Sequence, residues 1–131
     1  YRRRAVSTAY YALFHALAKV CAETLLPGLR RSSPEYERIY RALDHGPLRN
    51  AFGQSPLKDD AAIKKIGEAF VQLQSERHRA DYMPPDQNMF APSECARLID
   101  LAKQAVDQID GLNEDQRRTL STFAIFKNRS S

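Results

Sequence analysis

Apolar positions recur along the chain at spacings of three and four and are nowhere sustained in alternation, which predicts helices and no strand. Over residues 3–24, Val6, Tyr10, Leu13, Leu17 and Val20 make one stripe, the mark of a helix that buries a single face. Leu26-Pro27-Gly28 ends it, because Pro cannot extend the hydrogen-bond ladder and Gly readily turns left-handed. A second helix is expected after Ser32-Ser33, where either serine can cap and Pro34 suits the first turn. It carries Tyr36, Ile39, Tyr40 and Leu43 and is expected to end at His45-Gly46-Pro47, with a short turn over 48–52 and a loop over 53–59. The third helix, residues 60–82, has the clearest rhythm in Ile63, Ile66, Phe70 and Leu73, and Pro84-Pro85 closes it ahead of a connection over 83–91. A fourth, 93–110, turns Leu98, Ile99, Ala102, Ala105, Val106 and Ile109 inward and stops at Gly111. The fifth opens at Asn113, with Gln116 as capping-box partner, and carries Leu120, Phe123, Ala124 and Phe126. The expected fold is all-α, an up-and-down bundle of four to five antiparallel helices. It forms a single domain over 1–126, with 127–131 as a frayed tail.

Composition narrows the class. The chain has 131 residues, 43% hydrophobic and 27% charged, which suits one globular domain and excludes disorder and collagen-like repeats. No apolar run approaches the roughly 20 residues that cross a bilayer, so an integral membrane protein is excluded. Twenty Lys and Arg against 16 Asp and Glu leave a net +4, which admits a nucleic-acid partner without demanding one. Cys21 and Cys95 stand far apart and the three His are scattered, so neither a disulfide scaffold nor a zinc site is expected. Both thiols are expected to be buried and free, and no metal or cofactor is expected. Gly-rich phosphate loops and Ser nucleophile motifs are absent. No signal peptide is evident, so a cytoplasmic protein is expected. The chain begins at Tyr1 rather than Met, from which further N-terminal sequence is expected.

The candidate chemistry starts with Arg77. Continuing the stripe 63, 66, 70 and 73 leads to 77, and a helix places Arg77 within about 20° of Phe70. Asp81 falls on the same face. An arginine on a core stripe needs a partner, because an unpaired buried charge costs several kcal/mol. One reading is structural, an internal Arg77–Asp81 pair. The other is a guanidinium at the mouth of a cleft that binds phosphate through two parallel hydrogen bonds. His78, Arg79 and Tyr82 stand beside it, and such density suits phosphate binding or proton transfer at neutral pH. It also suits a wet helix end, where cations offset the macrodipole.

Arg41 and His45 are four apart and are expected to share a helix face, with His45 near enough to the helix end to serve as a cap. On the first helix Arg4, Tyr11 and His15 lie together beside the core stripe, in a core, an interface or a substrate-binding role. Arg2-Arg3-Arg4 reads as a solvated helix start that also suits an RNA backbone.

Three stretches together resemble the HEPN-domain family. They are Arg3-Arg4-Ala5-Val6-Ser7-Thr8-Ala9-Tyr10-Tyr11-Ala12-Leu13-Phe14-His15-Ala16, Tyr40-Arg41-Ala42-Leu43-Asp44-His45-Gly46 and Arg77-His78-Arg79-Ala80-Asp81-Tyr82. The tyrosine pair and Arg-x-x-Ala-Asp-Tyr are the more specific parts. The resemblance implies a bundle of four to five helices and a homodimer with paired sites at its interface. It further implies either a metal-independent endoribonuclease of a toxin–antitoxin or defence system, or a module that binds RNA or nucleotides, or one that partners a nucleotidyltransferase antitoxin. The ribonuclease members carry an Arg, then a polar residue, then a His four to six residues after the Arg. Arg77 and His78 match the start, but no His follows within six, and Tyr82 stands after four intervening residues. The catalytic candidates are therefore Arg77, His78 and His45. Arg41, Arg79, Asp81, Tyr82, Tyr11 and His15 are the candidates for substrate contact.

Overall fold

A computed structural model of the chain describes residues 2–84 and 90–126. Among them are six α-helices and no strand, so the protein is an all-α helical bundle. The helices are α1 (Arg2–Leu25), α2 (Pro34–Ala42), α3 (His45–Phe52), α4 (Ala61–Tyr82), α5 (Pro92–Asp110) and α6 (Glu114–Ile125), with a 3-10 turn at Leu57–Asp59 before α4. None of them is long and apolar enough to cross a membrane. The expected tail 127–131 and Pro85 of the expected Pro-Pro stop lie outside the described residues.

Helix α1 is the central element and packs on α2, α4, α5 and α6. Its stripe is buried throughout, and Ala9, Phe14, Ala18, Cys21 and Ala22 widen it into a broad enclosed face. Gly28 ends the following turn at φ +82°, where a Cβ would be strained. Ser33 caps α2 by accepting from the Tyr36 amide, Asp60 caps α4 through Ile63, and Asn113 and Gln116 form the expected capping box on α6. The Gln116 amide also reaches the Asp60 carboxylate at 3.2 Å, tying the starts of α4 and α6. Both cysteines are buried and free.

Several expectations are corrected. The second helix does not run to His45-Gly46-Pro47. It stops at Ala42, Leu43 and Asp44 are extended, and a separate helix α3 begins at His45, making six helices instead of five. Pro47 ends no helix here, because it occupies the first turn of α3, where its missing N–H has no helical acceptor to lose. Arg41 and His45 therefore lie on different helices and share no face. On α6 the buried side follows Leu120, Ser121 and Ala124, leaving Phe123 and Phe126 exposed instead of on the apolar face. On α5, Ile99 and Val106 are half-buried while Leu98, Ala102, Ala105 and Ile109 are enclosed.

Helix α3 is held against α4 by a close approach. A Cβ added at Gly67 would stand 2.6 to 2.9 Å from Cδ1, Cγ and Cβ of Phe52, too near the backbone for a rotamer change to relieve. Gly67→Ala is expected to lower stability by about 1–3 kcal/mol through overpacking, outweighing its gain in helix propensity. Chemical denaturation checks this, and an unchanged or raised stability would refute the tight α3–α4 contact.

Candidate functional site

The polar end of the core is assembled from α1, α3 and α4. Tyr10 lies on the buried stripe of α1 and is fully enclosed, as an aromatic at that position should be. A buried phenol needs a partner, and its hydroxyl is hydrogen-bonded to Nδ1 of His45, the first residue of α3. Phe14, one turn further along α1, stacks on the imidazole at 4.0 Å between centroids and 11° between planes. On the side of α4, the Gln74 amide donates to the His45 carbonyl at 3.2 Å, and Arg49 donates to Gln74 Oε1 at 3.0 Å. His45 is thus fixed in position by backbone and ring together.

Arg77 completes the group from α4. Its guanidinium carbon lies 5.5 Å from the Tyr10 ring centroid and 5.2 Å from that of Tyr11, within cation–π range of both. Nε donates to Asp81 Oδ2 at 3.0 Å, and Ser7 of α1 donates to Asp81 Oδ1 at 2.9 Å. The Arg77–Asp81 pair of the structural reading is therefore present. It engages only Nε, and the two terminal nitrogens make no hydrogen bond among the described residues. The Arg77 side chain is 21% exposed and that of Asp81 33%, so the pair is at the rim of the core, in contact with solvent.

Burial and charge set the protonation states. Burial pushes the Tyr10 phenol up to about 12, against the opposing pull of the Arg77 charge, so it stays protonated near neutrality. His45 lies below its ordinary 6.5, first because burial disfavours the imidazolium and next because Arg77 repels it; His15 adds to this and Asp44 opposes it. The imidazole is therefore neutral at pH 7. Because the folded state prefers the neutral ring, that contribution to stability is complete above pH 6.5 and is lost as the pH falls through the folded-state pKa. The thermal midpoint is expected to drop more steeply below that pH in the wild type than in His45→Gln. Parallel pH profiles for the two proteins would contradict the assignment.

The remaining candidates are distributed elsewhere. His78 is exposed and lies 4.8 Å from the Tyr82 ring, apart from Arg77 on the helix circumference. Arg79 is paired with Glu76 at 2.6 Å and lies 5.1 Å over the Phe90 ring. Arg41 is exposed and paired with Glu37 at 2.6 Å. Tyr11 faces Arg77 and lies 6.2 Å from His15, and Nδ1 of His15 is hydrogen-bonded to the Tyr40 hydroxyl at 2.8 Å. Arg2 donates to the Phe90 carbonyl at 3.3 Å, and Arg3 to that of Met83, where α4 ends. Both arginines therefore bond to backbone carbonyls, in addition to any contact with solvent.

Sequence reasoning passed over Ser7, Tyr10, Phe14 and Gln74 as members of this site. Only Tyr10 carried a signal, as a phenol in mid-stripe whose hydroxyl had to be satisfied. In comparison with protein-family models, curated proteins and solved structures, the chain has no match.

Proposed function

We propose that the chain is a HEPN-like module that binds RNA phosphate at Arg77 and cleaves the strand without a metal. The observation that carries this reading is the Arg77 guanidinium, held on two tyrosine rings with its terminal nitrogens unspent, beside a neutral imidazole on the far side of Tyr10. A planar fork of N–H donors fits two phosphate oxygens and their transition-state charge. In the reaction, the 2′-oxygen attacks the adjacent phosphorus, its proton passes to a base, and the P–O5′ bond breaks as the 5′-oxygen takes up a proton. The products are a 2′,3′-cyclic phosphate and a 5′-hydroxyl.

His45 is the proton-transfer group in this scheme. The Tyr10 hydroxyl both donates and accepts, so it partners Nδ1 in either tautomer and leaves Nε2 as base or as acid. His78 and Tyr82, exposed together on α4, supply a second imidazole and a stacking surface. A toxin–antitoxin or defence role, with a nucleotidyltransferase as antitoxin, belongs to the same reading. Mass analysis of the RNA ends tests it: the cyclic phosphate is expected, and a 3′-hydroxyl product would refute the 2′-oxygen mechanism.

The second reading is a non-catalytic homodimeric module that partners a nucleotidyltransferase or another protein. It is favoured by the Arg77–Asp81 pair, which balances the arginine's charge within the chain. It is favoured also by an apolar groove of about 690 Å³ between α1 and α5, walled by Ala5, Ala9, Ile99 and Val106 with Arg4, Lys103 and Asp107. Both signs of charge in one groove suit self-complementary contact with a second copy. A monomer in sedimentation at working concentrations would count against it.

A further inference from the structure

A second cleft, of about 610 Å³, opens between α1 and α2 beyond Tyr11 and is lined by His15, Lys19, Arg31, Tyr36, Glu37 and Tyr40. Its aromatic side is ordered. His15 and Tyr40 stack at 6.0 Å and 18°, locked by their hydrogen bond, and Tyr40 stacks on Tyr36 at 6.3 Å and 24°. Rings therefore continue from Tyr11, which carries Arg77, through His15 and Tyr40 to Tyr36 at steps of 6.2, 6.0 and 6.3 Å.

The cationic side is underneutralised. Lys19 and Arg31 share a single carboxylate, Glu23, at 4.0 and 3.9 Å, and Arg31 is 71% exposed. Glu37 is already engaged by Arg41. Tyr36 is only 4% exposed, yet its hydroxyl has no hydrogen-bond partner, an uncommon state for a buried donor.

We propose that this cleft is a second nucleotide subsite, which takes a base and phosphate farther along a single RNA strand whose reacting phosphate sits at Arg77; it rests on the reading of the Arg77 site given above. Ring faces with nearby cations bind successive bases and phosphates with little regard to sequence. A duplex keeps its base faces stacked away, so the cleft selects single strands.

Fluorescence anisotropy with 2′-O-methylated RNA, which lacks the attacking hydroxyl, tests this. A dinucleotide reaches Arg77 alone, whereas an oligomer of about eight nucleotides also fills the cleft. Arg31→Glu and Tyr40→Ala are expected to weaken the oligomer roughly tenfold and leave the dinucleotide unchanged, with Lys64→Glu on α4 as an inert charge-reversal control. Arg77→Ala is expected to weaken both ligands. Oligomer binding unmoved by Arg31→Glu and Tyr40→Ala, or weakened as much by Lys64→Glu, overturns the subsite alone. Equal losses for dinucleotide and oligomer in the cleft variants also overturn it, since the effect would then run through the Arg77 site or the fold. Failure of the wild type to bind either ligand overturns the Arg77 reading, and the subsite with it.

Discussion

Replacing Arg77 with alanine is expected to weaken RNA phosphate binding and lower any cleavage rate by about 10²–10³-fold, the usual cost of a transition-state donor. The fold should survive the change. Asp81 keeps its bond from Ser7 and its contact with water, so the released carboxylate is not stranded, and a solvated ion pair contributes little to stability. Arg77→Lys keeps the charge but not the planar fork, so it is expected to restore only part of the affinity. Arg77→Leu separates the two readings. A structural pair tolerates an apolar replacement or gains stability from it, with RNA binding unaffected, whereas a phosphate site loses binding in Leu and Ala alike. Anisotropy and thermal denaturation on the same samples read both effects.

His45→Ala is expected to cost about 10²–10⁴-fold in cleavage, the typical contribution of a positioned acid or base, with RNA affinity largely retained. This variant also carries a structural cost. It removes the ring stacked on Phe14 and leaves the enclosed Tyr10 hydroxyl without its partner, which together should lower stability by about 1–3 kcal/mol. Tyr10→Phe isolates the hydrogen-bond part of that cost, because it keeps the ring under Arg77 and the imidazole on Phe14 and removes the hydroxyl bonded to His45. Single-turnover cleavage rates, compared with dinucleotide affinity, check the split. A loss confined to affinity would mean that His45 binds substrate and moves no proton.

Much of the scaffold was legible because its signals are local. The 3–4 stripes of α1 and α4, the Ser33 and Asn113 caps and the Gly28 turn are set by residues within one helical turn of one another. The Arg77–Asp81 pair was legible for the same reason, as a charge four residues from its partner on an apolar stripe. The junction of α2 and α3 was not, since His45-Gly46-Pro47 has the composition of a helix stop but starts a helix after the extended pair of buried Leu43 and Asp44. The contact between Tyr10 and His45 spans 35 residues, and no periodicity on either segment encodes it. The sequence reading set His78 beside Arg77, whereas consecutive residues stand 100° apart round a helix. The sequence cluster 77–82 is thus divided in space between the Tyr10–Tyr11 rings, the His78–Tyr82 pair and the Arg79–Glu76 pair.

The most direct test of the central proposal is to incubate the purified protein and its Arg77→Ala variant with RNA in excess EDTA. Cleavage by the wild type that is lost in a variant of unchanged melting temperature is the expected result. Intact RNA with the wild type, or equal cleavage by both proteins, would contradict a metal-independent ribonuclease built around Arg77.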